Sequence, residues 1–489
     1  MMKSSAACAM SRQLLFLFLC SALLGITPAW SSGSGAEAAV PELDGKSLSP
    51  FWAIPFLGIL ISIAVMPLTC GRFWVRHYGK VALFWSLVTI IGIAFVQGFS
   101  VSLHGALDTM MNTFLPFICL LLALFTVTGG IKFHGTFSGA PSVNIAIMLL
   151  GAVLSNIIGT TGAAVLLIRP LLQANAWRLR KVHTILFFIF IVGNIGGSLT
   201  PVGNPPLLMG FIKKVDFFWP TIKLLPPTVF AVAVVLAVYY ALDTYIYRNE
   251  PKNELIKTRH VPFSIEGAQN LAFVPLIVGV AFISSYDLGI VFTLFHIDVS
   301  LSLIGEVTAL LGIALLSMKL TNRETRKRNG FTWHPIQEVA KLFAGIFITM
   351  EPLIAMLKAG ADGPVGFIIR SLSDSAGKPV NALYFWFSGL LSGFLDSAPA
   401  YLVFFNTASC EAQNPAQFMM TAAEPTLLAI TAGASFMGAL SYIGNAPNMM
   451  VKAIAEETGV QMPSFFGYCI WAFAVLIPVF LLVTKLFIN

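Results

Sequence analysis

From residue 51 onward the chain is written in long apolar runs separated by short polar ones. Runs near 51–70, 81–102, 113–130, 184–212, 220–247, 270–295, 301–319, 336–358, 424–454 and 463–488 each carry enough apolar residues to cross roughly 30 Å of hydrocarbon as a helix. The runs are continuous rather than alternating, which is the pattern of helices and not of a membrane β-barrel. An all-α polytopic membrane protein is predicted. Two further apolar stretches, 143–175 and 381–408, are interrupted by polar residues, SNIIGTTG in the first and LDSAP in the second. Polar backbone at membrane depth is tolerated only where protein or a water-filled cavity meets it. Both stretches are therefore expected to form re-entrant hairpins.

Composition strengthens this picture. The 489 residues are 57% hydrophobic and only 10% charged, against about 25% charged in soluble domains. The net charge of +7 does not suggest a nucleic-acid partner, because the positive residues gather in short segments: Arg72, Arg76 and Lys80; Arg178, Arg180 and Lys181; Arg248, Lys252, Lys257 and Arg259; Lys319, Arg323, Arg326, Lys327 and Arg328. Such segments stay on the cytoplasmic side, and one threading of the spans puts all four there. Lys213 and Lys214, which that threading leaves near the outer face, run against it. The six cysteines show no C-x-x-C spacing, so neither a metal site nor a disulfide framework is suggested. Lys3 and Arg12, the apolar LLFLFLCSALLGI and small residues at Ala29 and Ser31 make 1–31 a signal peptide or else an uncleaved first helix. The expected organisation is then a polar extracytoplasmic segment over 32–50, a first membrane repeat over 51–247 with hairpin 143–175, a basic cytoplasmic loop over 248–269, and a second repeat over 270–489 with hairpin 381–408.

The repeat rests on one offset. A shift of 241 residues carries Gly203-Asn204 and Pro206 onto Gly444-Asn445 and Pro447, and Gly197, Leu199 and Met209 onto Gly438, Leu440 and Met450. The same shift carries Ser155-Asn156 in the first interrupted stretch onto Asp396-Ser397 in the second. An odd number of spans lies between the two hairpins, so the halves are expected to be inverted, each with a discontinuous helix at its Gly-Asn-x-Pro. Inverted repeats of this kind place their binding site where the broken segments meet. A broken helix frees carbonyls at one half-helix end and N–H groups at the other. Carbonyls with Ser, Thr and Asn oxygens suit a hard cation such as Na⁺, whereas freed N–H groups suit an anion. Glycine allows close backbone approach and proline prevents the ladder from continuing. A single such break could be a packing kink; a pair at one offset is not explained that way.

Charges within apolar stretches mark the remaining candidates. Asp396 stands at the second interruption, where a carboxylate must be protonated, paired or cation-bound, and a desolvated carboxylate can exchange a proton for a cation. Glu351, beside Pro352, is a second candidate for proton–cation exchange. Arg169 is a possible charge partner or else snorkels to the inner surface. Glu306 and Asp287 are read as packing or pairing groups.

The segments SNIIGTTGAAVLLIRP, GNIGGSLTPVGNPPLLMGF, FLDSAPAYLVFFN and GALSYIGNAPNMMVKAIAEE resemble the citrate-transporter-like branch of the ion transporter superfamily, over most of the chain after about residue 50. The resemblance implies a scaffold domain, a mobile transport domain with two hairpins, a homodimer and elevator-type alternating access in the bacterial inner membrane. Related carboxylate carriers have Ser-Asn-Thr at both tips. Here Ser155-Asn156 matches, Ile157 replaces the threonine, and Thr160 and Thr161 follow. The second tip is similar to the Asp-Asn pair of antiporter and arsenite-permease relatives, carried onto Asp396, with Ser397 in place of asparagine. A Na⁺ site from Ser155, Asn156, Asn204, Asp396 and Asn445 is expected, with Thr160, Thr161, Gly203, Ser397 and Gly444 beside it. The acidic tip favours a Na⁺(Li⁺)/H⁺ antiporter; a Na⁺- or H⁺-coupled citrate or dicarboxylate carrier is the alternative. An intramembrane aspartyl protease, from Tyr286-Asp287 and Asp396, is a remote third, since Leu395 breaks its Gly-x-Gly-Asp pattern and the repeat would go unexplained. Motifs of ATP-driven or hydrolytic chemistry are absent from the sequence, and no cofactor beyond a transported or coupling ion is called for.

Overall fold

The computed structural model describes residues 27–28, 42–134, 138–250, 264–284, 288–328, 331–360, 362–375, 377–395, 397–410 and 412–488. Apart from Thr27–Pro28, the expected leader lies outside the described residues, as do Asp287 and Asp396. Among the described residues, eight helices are long and apolar enough to cross a membrane.

The first half begins with α1 (Ile54–Thr69), α2 (Gly71–Gln97), α3 (Phe99–Asp108) and α4 (Leu115–Thr128). The outward face of α2 shows how these residues choose a membrane. Phe84, Val88, Ile91 and Phe95 are exposed at helical spacing, while the buried face carries Tyr78, Ala82, Ser86 and Thr89. Small and polar residues pack inward and large apolar ones face out, as lipid rather than water would require. Residues 71–80, expected as a basic loop, are instead the first turns of α2, with exposed Arg72, Arg76 and Lys80 four apart on one side. The turn after α2 falls at Gly98, whose φ of 101° suits glycine, rather than in the polar stretch 103–112. That stretch stays helical, running through a π-helical segment, Thr109–Phe114, into α4, and Ser102 Oγ just before it donates to Ile90 O of α2 at 2.6 Å.

Next, α5 (Pro141–Ala174) contains one non-helical residue, Gly159, at φ 78° and ψ 152°. A straight helix of its length would be about 50 Å long, but this one folds back on itself. Asn144 Nδ2 donates to Asn175 Oδ1 at 3.1 Å and Asn175 Nδ2 to Asn144 Oδ1 at 2.8 Å, so the two ends meet. Then come α6 (Val182–Ile191), α7 (Pro205–Ile212) and α8 (Leu225–Arg248). From His183 on, every residue of α6 is buried, as in a helix that is apolar all round.

In the second half, α9 (Phe273–Ser284) is shorter than the expected span 270–295. Its tail is a β-ribbon, Ile290–Leu294 antiparallel to Ile297–Ser300, turning through Phe295 and His296 at positive φ. The β-branched and aromatic residues there suit strands better than a helix. Thr27–Pro28 pairs with Ile290–Leu294, which becomes the central strand of three. Helices α10 (Leu301–Leu320) and α11 (His334–Lys358) follow, then α12 (Asn381–Leu395) and α13 (Ser397–Ala408), which also fold back, with the Tyr384 and Phe404 rings 6.2 Å apart. The chain ends with α14 (Glu424–Met437), α15 (Ala446–Glu457) and α16 (Phe465–Val483).

Two buried polar clusters pin helix ends together. Arg326 donates to Thr126 O at 2.5 Å and to Ser317 O at 2.9 Å, capping the last turns of α4 and α10. Burial pushes its guanidinium down to about 10. Arg178, expected as a loop charge, is instead 1% exposed. It pairs with Asp243 of α8 at 2.6 Å, and Asp243 also receives His183 at 2.8 Å and Tyr239 Oη at 2.8 Å. Asn144 reaches the same carboxylate at 3.3 Å, so both ends of α5 are anchored to α8.

Candidate functional site

Both Gly-Asn-x-Pro segments are real interruptions of helix. The first separates α6 from α7 across residues 192–204, and the second separates α14 from α15 across 438–445; each contains one short 3₁₀ turn. Asn204 and Asn445 are the residues just before the second half-helices, both extended. Glycine is required by contact here: a Cβ on Gly203 would run into Gly197 O, and one on Gly444 into Gly438 O. The two breaks thus share a six-residue closure with the same partners.

They also meet. Asn445 Nδ2 lies 3.2 Å from Asn204 Oδ1, 3.0 Å from Gly193 O and 3.2 Å from Asn194 Oδ1. In the other direction, Asn204 Nδ2 lies 3.4 Å from both Asn194 O and Ser435 O. Asn194 Nδ2 donates to Asn448 Oδ1 at 2.8 Å, and Asn448 Nδ2 donates to Gly438 O and Ser441 O. All these side chains are at most 2% exposed. Neither Ser198 Oγ nor Ser435 Oγ, both fully buried, has a hydrogen-bond partner among the described residues.

Each folded-back pair is stitched to the break beside it. Ser155 Oγ donates to Val192 O at 2.8 Å, and Asn156 Nδ2 to Gly196 O at 2.6 Å. Asn156 Oδ1 accepts from Leu199 N, its carbonyl accepts from Thr200, and Thr160 N donates to Gly203 O. On the other side Ser392 Oγ donates to Ala434 O, and Ser441 Oγ to Gly393 O. Thus Ser155, Asn156, Thr160, Gly203, Asn204, Gly444 and Asn445 come together. Thr161 is the partly exposed neighbour of Thr160, and Ser397 begins α13 with 1% exposure. Asp396, between Leu395 and Ser397 in sequence, lies outside the described residues.

Two candidates sit elsewhere. Arg169 lies ten residues along the return arm from Gly159, about 15 Å by helical rise, with a buried Nε that has no partner among the described residues. Glu351 of α11 packs its carboxylate against Gly105 of α3, where an added Cβ would collide with it. Asp108, hydrogen-bonded by Asn112 Nδ2 at 2.8 Å, and Lys358 act on it electrostatically. Glu306 faces Ser284 across α10 and α9. The sequence reading missed Asn194, Asn448, Ser198 and Ser435. A signal existed for two of them, since the 241-residue offset linking Asn204 to Asn445 also carries Asn194 to Ser435.

The lining offers asparagine Oδ1, serine Oγ and the carbonyls where α6 and α14 stop, several of which already accept from the Nδ2 groups of Asn194, Asn204, Asn445 and Asn448. Pro205 and Pro206 open α7 and Pro447 sits at the second position of α15, so the first backbone N–H groups of both half-helices are partly deleted. No lysine, arginine or histidine occurs in 152–161, 192–206 or 433–448.

Membrane-spanning helices around a buried polar centre built from two broken helices define a multi-pass membrane protein of the secondary-transporter class. The chain belongs to the family described as "Putative citrate transport", whose match covers residues 45–488. No curated protein matches the chain significantly. That membership agrees with the resemblance read from the four motifs, and a transport family supports the non-enzymatic reading over the protease.

Proposed function

We propose that the protein is a Na⁺(Li⁺)/H⁺ antiporter working by alternating access, with the ion taken up at the meeting point of the two breaks. The observation that carries this reading is the lining at Asn204–Asn445: asparagine and carbonyl oxygens, two buried serine hydroxyls beside them without partners among the described residues, and no basic side chain. A desolvated Na⁺ is matched by such oxygens, while a tricarboxylate at the same place would need positive charge. Asp396, at the second tip, is the carboxylate that loses a proton when the cation binds. The two folded-back pairs act as re-entrant hairpins in halves of opposite orientation. The working form is a homodimer in the bacterial inner membrane, with Glu351 as a further exchanging group outside the breaks.

Citrate or dicarboxylate transport coupled to Na⁺ or H⁺ is the second reading, and the family description favours it. Proteoliposomes with an internal pH dye separate the two. Addition of Na⁺ or Li⁺ should collapse an imposed ΔpH, K⁺ should not, and Asp396→Asn should abolish the response. Labelled citrate uptake without cation-driven proton movement would overturn the antiporter.

A further inference from the structure

The two breaks reach the surface at different places: Leu199 and Thr200 are part-exposed in the first, and Ile443 in the second. Of Ser441–Asn445 only Ile443 is part-exposed, whereas its counterpart at the repeat offset, Val202, is 5% exposed and buried. Over Tyr442 and Ile443 lies a cleft of about 250 Å³, bounded by Pro67 of α1, Met462, and Lys452 and Glu456 of α15. Two of its lining residues, Tyr442 and Ile443, belong to the break. The Tyr442 wall is fixed in place: its hydroxyl donates to Pro463 O at 3.2 Å, and its ring lies 4.1 Å from that of Tyr468, whose hydroxyl donates to Ala439 O at 2.8 Å. Lys452 Nζ sits 2.9 Å from Glu456 Oε1 and 5.5 Å from the Tyr442 ring centre. These two side chains are 25% and 43% exposed, so they stand at the mouth of the cleft.

We propose that this cleft is an aqueous vestibule leading to the second break, and that the Lys452–Glu456 pair keeps its mouth open to ions of either sign, each side chain offsetting the other's charge. The vestibule rests on the cleft and on Ile443; only the identity of the ion rests on the antiporter reading. A charged group at the mouth of a narrow, low-dielectric cleft concentrates ions of opposite sign. With the pair intact the two charges nearly cancel. Removing Lys452 leaves an acidic mouth, and removing Glu456 leaves a basic one.

The test labels full-length protein in nanodiscs, with the six native cysteines replaced by serine, using membrane-impermeant cationic and anionic methanethiosulfonates. Ile443→Cys should react with both reagents while Val202→Cys remains inert. Adding Glu456→Gln should slow the cationic reagent about tenfold, and adding Lys452→Gln should slow the anionic one by about as much. Met462→Cys serves as a second reporter should Ile443→Cys not purify as a monodisperse protein. If both reporters are as inert as Val202→Cys, the cleft is filled by lipid or closed, and the proposal fails. Labelling that ignores the charge variants overturns the charge-balancing role of the pair. Absence of Na⁺-driven proton flux in the wild type, with labelling as expected, would sink the antiporter and leave the vestibule standing. In an active antiporter, Glu456→Gln should raise the cation KM several-fold with kcat unchanged.

Discussion

Asn204 and Asn445 each terminate a break and hydrogen-bond across to the other break, so each half of the molecule completes the other's site. Replacing either by alanine leaves buried acceptors without their donor, at a cost of about 1–3 kcal/mol. The double replacement should cost less than the sum, because the 3.2 Å contact between them is lost only once. Thermal unfolding of the purified variants in detergent would measure this, and strict additivity would show that the contact contributes nothing. Ser198 and Ser435 make the opposite prediction. Their hydroxyls already lack partners, so Ser→Ala should leave Tm unchanged or slightly raised. If the hydroxyls hold the ion, the same variants should raise the half-saturating Na⁺ concentration in the ΔpH assay about tenfold. A fall in Tm with unchanged Na⁺ dependence would make these serines structural.

At the scale of elements, the base of the folded-back α5 is the most heavily tied part of the first half. Arg178 and Asp243 are both buried, and the carboxylate also holds His183, Tyr239 and Asn144. Removing one partner strands a buried charge, so Arg178→Ala or Asp243→Ala should destabilise by about 3–5 kcal/mol. A paired Arg178→Met, Asp243→Leu replacement should recover part of that loss, which fluorescence-detected thermal melting can read. The sequence could not announce this ion pair. Arg178 sits in a run with Arg180 and Lys181 that looks like any cytoplasmic basic turn, and its acid lies 65 residues away. Interruptions, by contrast, were legible, because Gly159, Gly203-Asn204 and Gly444-Asn445 each remove a local condition that a helix needs. Boundaries were less so: hydropathy does not distinguish the helical 71–80 from a loop, nor the ribbon over 290–300 from the end of a span. Both depend on neighbours that arrive from elsewhere in the chain.

For the whole molecule, the two halves interlock rather than stand side by side. Helix α7 packs on α13, α15 packs on α5, and the asparagine network joins residues about 240–250 apart. Co-expressed fragments 1–256 and 257–489, cut within the basic segment predicted to be a cytoplasmic loop, should therefore purify together through a tag on either one. Separate elution would show that the covalent link, not the interlock, holds the halves. The general location of the centre followed from the 241-residue offset. Its composition did not, since Asn194, Asn448 and the partnerless serines become neighbours only when the breaks cross.

Prolines at the starts of α7 and α15 have a consequence for motion. A continuous helix through either segment would need N–H donors at Pro205, Pro206 and Pro447 to satisfy the carbonyls of Pro201, Val202 and Ile443. Those donors do not exist in any conformation the chain can reach. Helices of this chain do pass through single prolines, Pro352 in α11 among them. Mending the first break, however, would put two consecutive prolines inside a helix, at about 3 kcal/mol or more each. The same three oxygens are therefore expected to stay outside a helical ladder while the breaks move intact.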